Sequence, residues 1–114
     1  MKLKAGVKFP VLVPQMVLGA TIVASVMIRY GVDAEVTSGA EPETIHKGKP
    51  VQGDDKDPHY MGKALDFSIH GFQSPQDLAN CVDALGDALG SEYVVLWEMK
   101  GTPVEHIHVQ FGHI

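Results

Sequence analysis

Two segments of the chain carry helical patterns of hydrophobic residues. The first is an apolar run over residues 11–28, along which polar side chains recur every four residues and draw a narrow stripe, namely Thr21, Ser25 and Arg29. Pro14 suits the first turn of a helix and Gly31 suits its C-terminal cap. The pattern predicts a buried amphipathic helix from about Pro14 to Tyr30.

The second helical pattern begins at Ser74, which suits an N-cap, and Pro75 suits the first helical position. Its apolar residues fall on one face and predict packing against a sheet: Leu78, Val82, Leu85 and Leu89. Gly90 ends the pattern.

The first apolar run permits another interpretation. Lysines at positions 2, 4 and 8 precede it, and a basic start followed by an apolar stretch is typical of a signal peptide or membrane anchor. The polar stripe favours the buried helix, and both alternatives stay open at this point.

Four segments are typical of strands because apolar, β-branched and aromatic residues dominate them: Val32 to Ser38, Ala64 to Ile69, Tyr93 to Met99 and Val104 to Phe111. The stretch from Gly39 to Pro58 shows no periodicity and predicts a long loop that leads into His59. We therefore expect an α+β fold with an antiparallel sheet of about four strands, helices on one face and the functional site on the other.

Length and composition suit one small globular domain spanning residues 1–114, since 45% of the residues are hydrophobic and 20% are charged. The net charge is −5, and the nine basic residues form no run with interleaved aromatics, so neither nucleic acid nor an anionic membrane is an indicated partner. The single cysteine, Cys81, excludes an internal disulfide and is predicted to be a buried core thiol.

Histidine and carboxylate residues form the strongest candidate site. His59 and Asp66 lie seven residues apart, and Gly62 between them would let the backbone bend so that both side chains reach one ion. In the last strand, His106 and His108 point to the same face because side chains alternate. Imidazole and carboxylate together suit zinc, and three protein ligands would leave one coordination position open.

Glu105 is a harder case, since strict alternation would direct its side chain to the opposite face from His106 and His108. It can approach a metal only if the strand begins after it, which the turn residues Gly101 to Pro103 favour.

The motif H-x-x-G-x-A-x-D followed by acid-H-x-H resembles the zinc DD-carboxypeptidase and phage endolysin peptidase family, which includes the Hedgehog signalling domain. The segment Thr37-Ser38-Gly39 is similar to that family's T-S-G segment, and the likeness is closest to small phage-encoded members. The resemblance implies zinc ligands at His59, Asp66 and His108, a general base at Glu105, and His106 beside the metal in contact with substrate.

By this resemblance the chain would be a zinc metallopeptidase that hydrolyses peptide bonds in peptidoglycan stem peptides or cross-links. Two departures are visible: residues 40–42 lack the arginine that many members carry after T-S-G, and Asp57 replaces a common serine. Lys63 is one candidate to replace that arginine. The competing hypothesis is a non-catalytic, zinc-stabilised structural or cell-wall-binding module of a phage particle, which the missing arginine favours and the retained Glu105 opposes. The location, in a phage virion, the bacterial cell wall or the periplasm, stays open.

Overall fold

The fold is taken from a computed structural model, which describes residues 1–8, 11–39, 58–59 and 61–113. Its elements in chain order are β1 (Lys2–Leu3), α1 (Pro14–Ile28), β2 (Glu35–Ser38), β3 (Ala64–Ser68), α2 (Pro75–Leu89), β4 (Tyr93–Glu98) and β5 (His106–Phe111).

Helix α1 forms where the apolar run predicts it. Pro14 occupies the first helical position, and the three residues of the predicted polar stripe are exposed. The opposite side of the helix is buried and contributes apolar residues to the core: Met16, Val23, Val26 and Met27. Among the described residues, no helix combines the length and the hydropathy that crossing a bilayer requires.

Helix α2 also begins and ends as predicted. The Ser74 side chain accepts a hydrogen bond from the backbone N–H of Asp77, and Gly90 follows the last turn. Its buried face carries Leu78, Cys81, Leu85 and Leu89. Cys81 is fully buried within the core, as expected from its place in the helical pattern.

The sheet differs from the prediction in two respects. It has five strands in the order β1-β2-β3-β5-β4, and β1 pairs with β2 in parallel, whereas the other three pairs are antiparallel. The expectation of about four antiparallel strands was therefore wrong, although the α+β class is confirmed. The strand that was missed, β1, has two residues and both are exposed, so it leaves no alternation of buried and exposed positions to detect.

The two faces of the sheet have different chemistry because side chains alternate along each strand. One face packs against both helices and contributes apolar residues to the core: Val36, Leu65, Phe67, Ile107 and Val109. Polar residues occupy the other face of the central strands and are also buried: Asp66, Ser68, His108 and Gln110. Buried polar groups need partners, and this second face is where the candidate site lies.

Candidate metal centre

His59 is held by a tight turn that leads into β3. The backbone N–H of Lys63 donates to the carbonyl of Pro58 (2.8 Å), and that of Gly62 donates to the carbonyl of His59 (3.2 Å). Gly62 has φ +74°, and a Cβ atom at this position would overlap the carbonyl oxygen of Val11. The predicted bend at Gly62 is therefore confirmed, and it requires glycine both for its backbone conformation and for the close approach of another segment.

Strand register brings the other ligand candidates together. Asp66 in β3 lies directly opposite His108 in β5, although 42 residues separate them in the chain. His106 lies two residues before His108 on the same face, opposite Ser68 on one side and Glu98 in β4 on the other. The predicted shared face of the two histidines is therefore observed.

Three histidine rings surround the Asp66 carboxylate. Oδ1 lies 3.0 Å from His59 Nε2 and 2.9 Å from His108 Nδ1, and Oδ2 lies 3.7 Å from His106 Nε2. The rings of His59 and His108 meet edge to face with centroids 4.9 Å apart. The Asp66 side chain is only 11% exposed, so these contacts form in a poorly solvated setting.

The electrostatics of the pair formed by Asp66 and His108 follow from this setting. Burial alone would raise the pKa of the Asp66 carboxyl, but hydrogen bonds from His108 and His59 and the charge on nearby imidazoles outweigh it, so the pKa lies well below its ordinary value. Burial alone would lower the pKa of His108, but its hydrogen bonds to Asp66 and Gln110 and the negative charge of Asp66 raise it. Both shifts favour the charged forms in the metal-free protein.

Gln110 fixes which nitrogen of His108 faces the cluster. Its amide nitrogen donates to the carbonyl of Gly112 (2.9 Å), which can only accept, so its amide oxygen faces His108 Nε2 (2.8 Å). Nε2 must then carry a hydrogen, and Nδ1 is directed at Asp66. This is the arrangement by which an outer residue orients a histidine ligand. Gln110 was not among the residues predicted from the sequence, although its alternation with His106 and His108 was a usable signal.

These side chains form a cluster that could hold a metal ion. The candidate donor atoms of His59, Asp66 and His108 all lie within 4.8 Å of one another, and the same holds for a second group, Asp66, Glu98 and His106. Imidazole nitrogens and carboxylate oxygens are the donors that divalent transition metals take in proteins. The predicted ligand set is therefore brought together, and Glu98 joins it.

Glu105 does not join it. Strand β5 begins at His106, immediately after Glu105, as the prediction required. However, the Glu105 carboxylate accepts hydrogen bonds from the indole N–H of Trp97 (2.6 Å) and the backbone N–H of Gly101 (3.1 Å). Its hydrogen-bond partners, Trp97 and Gly101, belong to neither of the two groups of described residues that could hold a metal ion.

The remaining histidines and the candidate lysine lie outside the cluster. His70 and His113 lie at the ends of elements and are exposed. Lys63, a candidate to replace the absent arginine, is half-buried beside Gln110 and Phe111 in a surface pocket. The central part of the predicted loop, with His46 and Asp57, lies outside the described residues.

Comparison of the chain with profiles of known protein families, with curated proteins and with solved structures found no match. The basis for assigning a function is therefore the chemistry of the described side chains together with the resemblance of the motifs.

Proposed function

We propose that the chain is a zinc-dependent peptidase that hydrolyses peptide bonds in bacterial peptidoglycan, similar to phage-encoded endolysin peptidases. The observation that carries the proposal is the convergence of His59, Asp66 and His108, whose donor atoms lie within 4.8 Å of one another. Three protein ligands of this kind are typical of catalytic zinc sites, which keep a further position for water or substrate.

The donor set fits zinc. His59 would bind through Nε2 and His108 through Nδ1, since these atoms face Asp66 and since Gln110 occupies the other nitrogen of His108. When bound, zinc would polarise the scissile carbonyl and lower the pKa of a water molecule. A structural zinc site, in contrast, generally has four protein ligands of the cysteine and histidine type.

The surroundings of the cluster suit a peptide. Leu96 lies directly opposite His108 on the neighbouring strand, on the same face of the sheet, and is 44% exposed. An apolar side chain of a stem peptide could contact it beside the ligands. By the resemblance His106, whose Nε2 lies 3.7 Å from Asp66 Oδ2, would contact the substrate beside the metal.

Two glutamates are candidates for the catalytic carboxylate. The family resemblance indicates Glu105, whereas the distances to the ligand cluster indicate Glu98. The resemblance gives this role to Glu105, which would have to leave Trp97 and Gly101 in order to reach the ligands. Glu98 already lies among them, with Oε1 at 3.0 Å from His106 Nε2 and 3.9 Å from His108 Nδ1. We therefore assign the carboxylate to Glu98.

The test compares hydrolysis of purified peptidoglycan by zinc-loaded wild type, Glu98→Gln and Glu105→Gln, measured as newly released amino groups. Loss of a catalytic carboxylate typically costs on the order of 10²–10⁴ in rate, and we expect the larger loss in Glu98→Gln. A larger loss in Glu105→Gln, with zinc content unchanged, would instead show that Glu105 moves to the site during turnover.

A second candidate function is a non-catalytic, zinc-stabilised module of a phage particle. The engagement of the Glu105 carboxylate by Trp97 and Gly101 favours it, because the base implied by the resemblance is then not at the site. Zinc content and peptidoglycan cleavage measured on the same sample separate the two. Full zinc occupancy without cleavage of any stem peptide or cross-link would favour the structural module.

A further inference from the structure

The two oxygens of the Asp66 carboxylate face different histidines. Oδ1 lies 3.0 Å from His59 Nε2 and 2.9 Å from His108 Nδ1, whereas Oδ2 lies 3.7 Å from His106 Nε2. A carboxylate with ligand nitrogens on both oxygens has the arrangement needed to bridge two cations.

The His106 ring is also oriented for ligation. Its Nδ1 lies 2.8 Å from the backbone carbonyl of Val104, which can only accept a hydrogen bond, so Nδ1 carries a hydrogen. The other ring nitrogen, Nε2, is then the atom available to bind a cation, and it faces Glu98 Oε1 at 3.0 Å and Asp66 Oδ2 at 3.7 Å.

The spacing of these three groups suits a metal ion. Ligand atoms about 2.1 Å from a tetrahedral zinc lie about 3.4 Å from one another, and the distances of 3.0 and 3.7 Å from His106 Nε2 bracket that value. Glu98 and His106 are also directly opposite each other in the β4–β5 register, so the two strands fix their relative position.

We propose that Asp66 bridges two divalent transition-metal ions, the first held with His59 and His108 and the second held with Glu98 and His106. Two-metal hydrolytic sites place their ions about 3.5–4 Å apart, a separation at which both ions can act on one substrate group. The inference deepens the proposed function and rests on it only for the first ion. In a two-metal centre Glu98 and His106 would ligate the second ion, in place of the roles of catalytic carboxylate and substrate contact that a single-zinc site would give them.

The test is a titration of metal-free protein with Zn²⁺ at neutral pH, followed by calorimetry, with the zinc content of dialysed samples counted by elemental analysis. We expect two equivalents for wild type. Glu98→Gln should keep the first equivalent and weaken the second by at least about tenfold, since it loses a charged ligand. Asp66→Asn should weaken both.

The matched control is Glu92→Gln, which makes the same chemical change at an exposed residue just before β4. It should bind two equivalents like wild type. Circular dichroism of each metal-free variant checks that the fold is retained, so that a lost equivalent reports a lost ligand.

A single tight equivalent in wild type, or two undiminished equivalents in Glu98→Gln, would overturn the two-metal centre. One equivalent together with peptidoglycan hydrolysis would overturn this inference alone and leave the proposed function standing. Two equivalents without hydrolysis would support the inference and count against the proposed function.

Discussion

His108 is held on both sides of its ring, by Asp66 at Nδ1 and by Gln110 at Nε2. Gln110 is in turn held by Gly112. This chain of hydrogen bonds holds the ring in place, so little further ordering of His108 would be needed for a metal to bind. The metal affinity should therefore depend on a residue that is not itself a ligand.

Gln110→Leu tests that dependence. The leucine cannot accept the Nε2 hydrogen of His108, so we expect the first metal equivalent to bind about 10–100-fold more weakly while the fold is kept. Gln110→Glu retains an acceptor oxygen and should recover much of the affinity. Calorimetric titration of both variants measures this, and equal affinities in Gln110→Leu and wild type would contradict the positioning role.

The stability of the metal-free protein should depend on pH through Asp66 and His108. The pKa of Asp66 is depressed from 3.8, so its contribution is present above that pH and is lost as the pH falls. The pKa of His108 is raised from 6.5, so its contribution is complete below that pH and is lost as the pH rises through the raised value.

We therefore expect the thermal midpoint in the presence of chelator to be highest between about pH 4 and pH 6.5 and to fall above that range. The fall should be smaller in His108→Gln. The increase in the thermal midpoint on adding zinc should follow the opposite trend and become larger at higher pH, because zinc competes with protons for its ligands. A metal-free midpoint that stays constant or rises above pH 6.5 would contradict the assignment.

For single residues, the sequence was sufficient to predict the direction of a side chain where the alternation within a strand alone determines it. Alternation placed His106 and His108 on one face, and that face carries the candidate site. The direction of Glu105 could not be predicted, because it precedes the strand and is decided by a hydrogen bond to Trp97, eight residues away.

Among the elements, the turn before β3 is the one that positions a candidate ligand, His59. Gly62→Ala would place a methyl group against the carbonyl of Val11 and would force a left-handed conformation on alanine. The conformation alone costs about 1–2 kcal/mol, and the overlap adds to it. We expect a lowered thermal midpoint together with weaker metal binding, since His59 lies in the same turn.

Gly31→Ala is the matched control for that variant. Gly31 has nearly the same φ, +77°, but a Cβ there would meet open space. It should lose stability by the conformational term only and bind metal like wild type. If the two variants bind metal equally well, the turn at Gly62 does not position His59.

The elements differed in how well the sequence defined them. Helix α2 carried its own start and stop signals in Ser74 and Gly90, and its bounds match the prediction. Strand β2 was predicted to begin at Val32 but begins at Glu35. The start of a strand depends on where the neighbouring strand can pair with it, and the hydrophobic pattern of a single segment does not contain that information. The same limitation explains β1, whose parallel pairing with β2 depends on a segment more than thirty residues along the chain.

At the scale of the whole molecule, α1 is part of the core. Met16, Val23 and Met27 are fully buried and belong to the same cluster as Phe67 and the apolar residues of β5. Removal of residues 1–30 would expose that cluster to water, and large losses of buried apolar surface are not tolerated by a domain of this size.

We therefore expect the truncated protein to show no cooperative thermal transition and no tight metal binding, as measured by calorimetry. The full chain under identical conditions is the control. A truncated protein that melts cooperatively and binds metal would indicate instead that the first apolar segment serves as an anchor or signal.

Cys81 lies on the helix side of the sheet, with its side chain fully buried. Burial raises the pKa of its thiol to about 11, so the thiolate that reacts with labelling reagents is scarce in the folded protein. Modification of this single thiol should therefore proceed only through the small population of molecules whose core is transiently open. A metal bound on the other face would stabilise only the folded form and make the open form rarer, so the labelling rate of Cys81 should report the occupancy of a site that this residue does not touch.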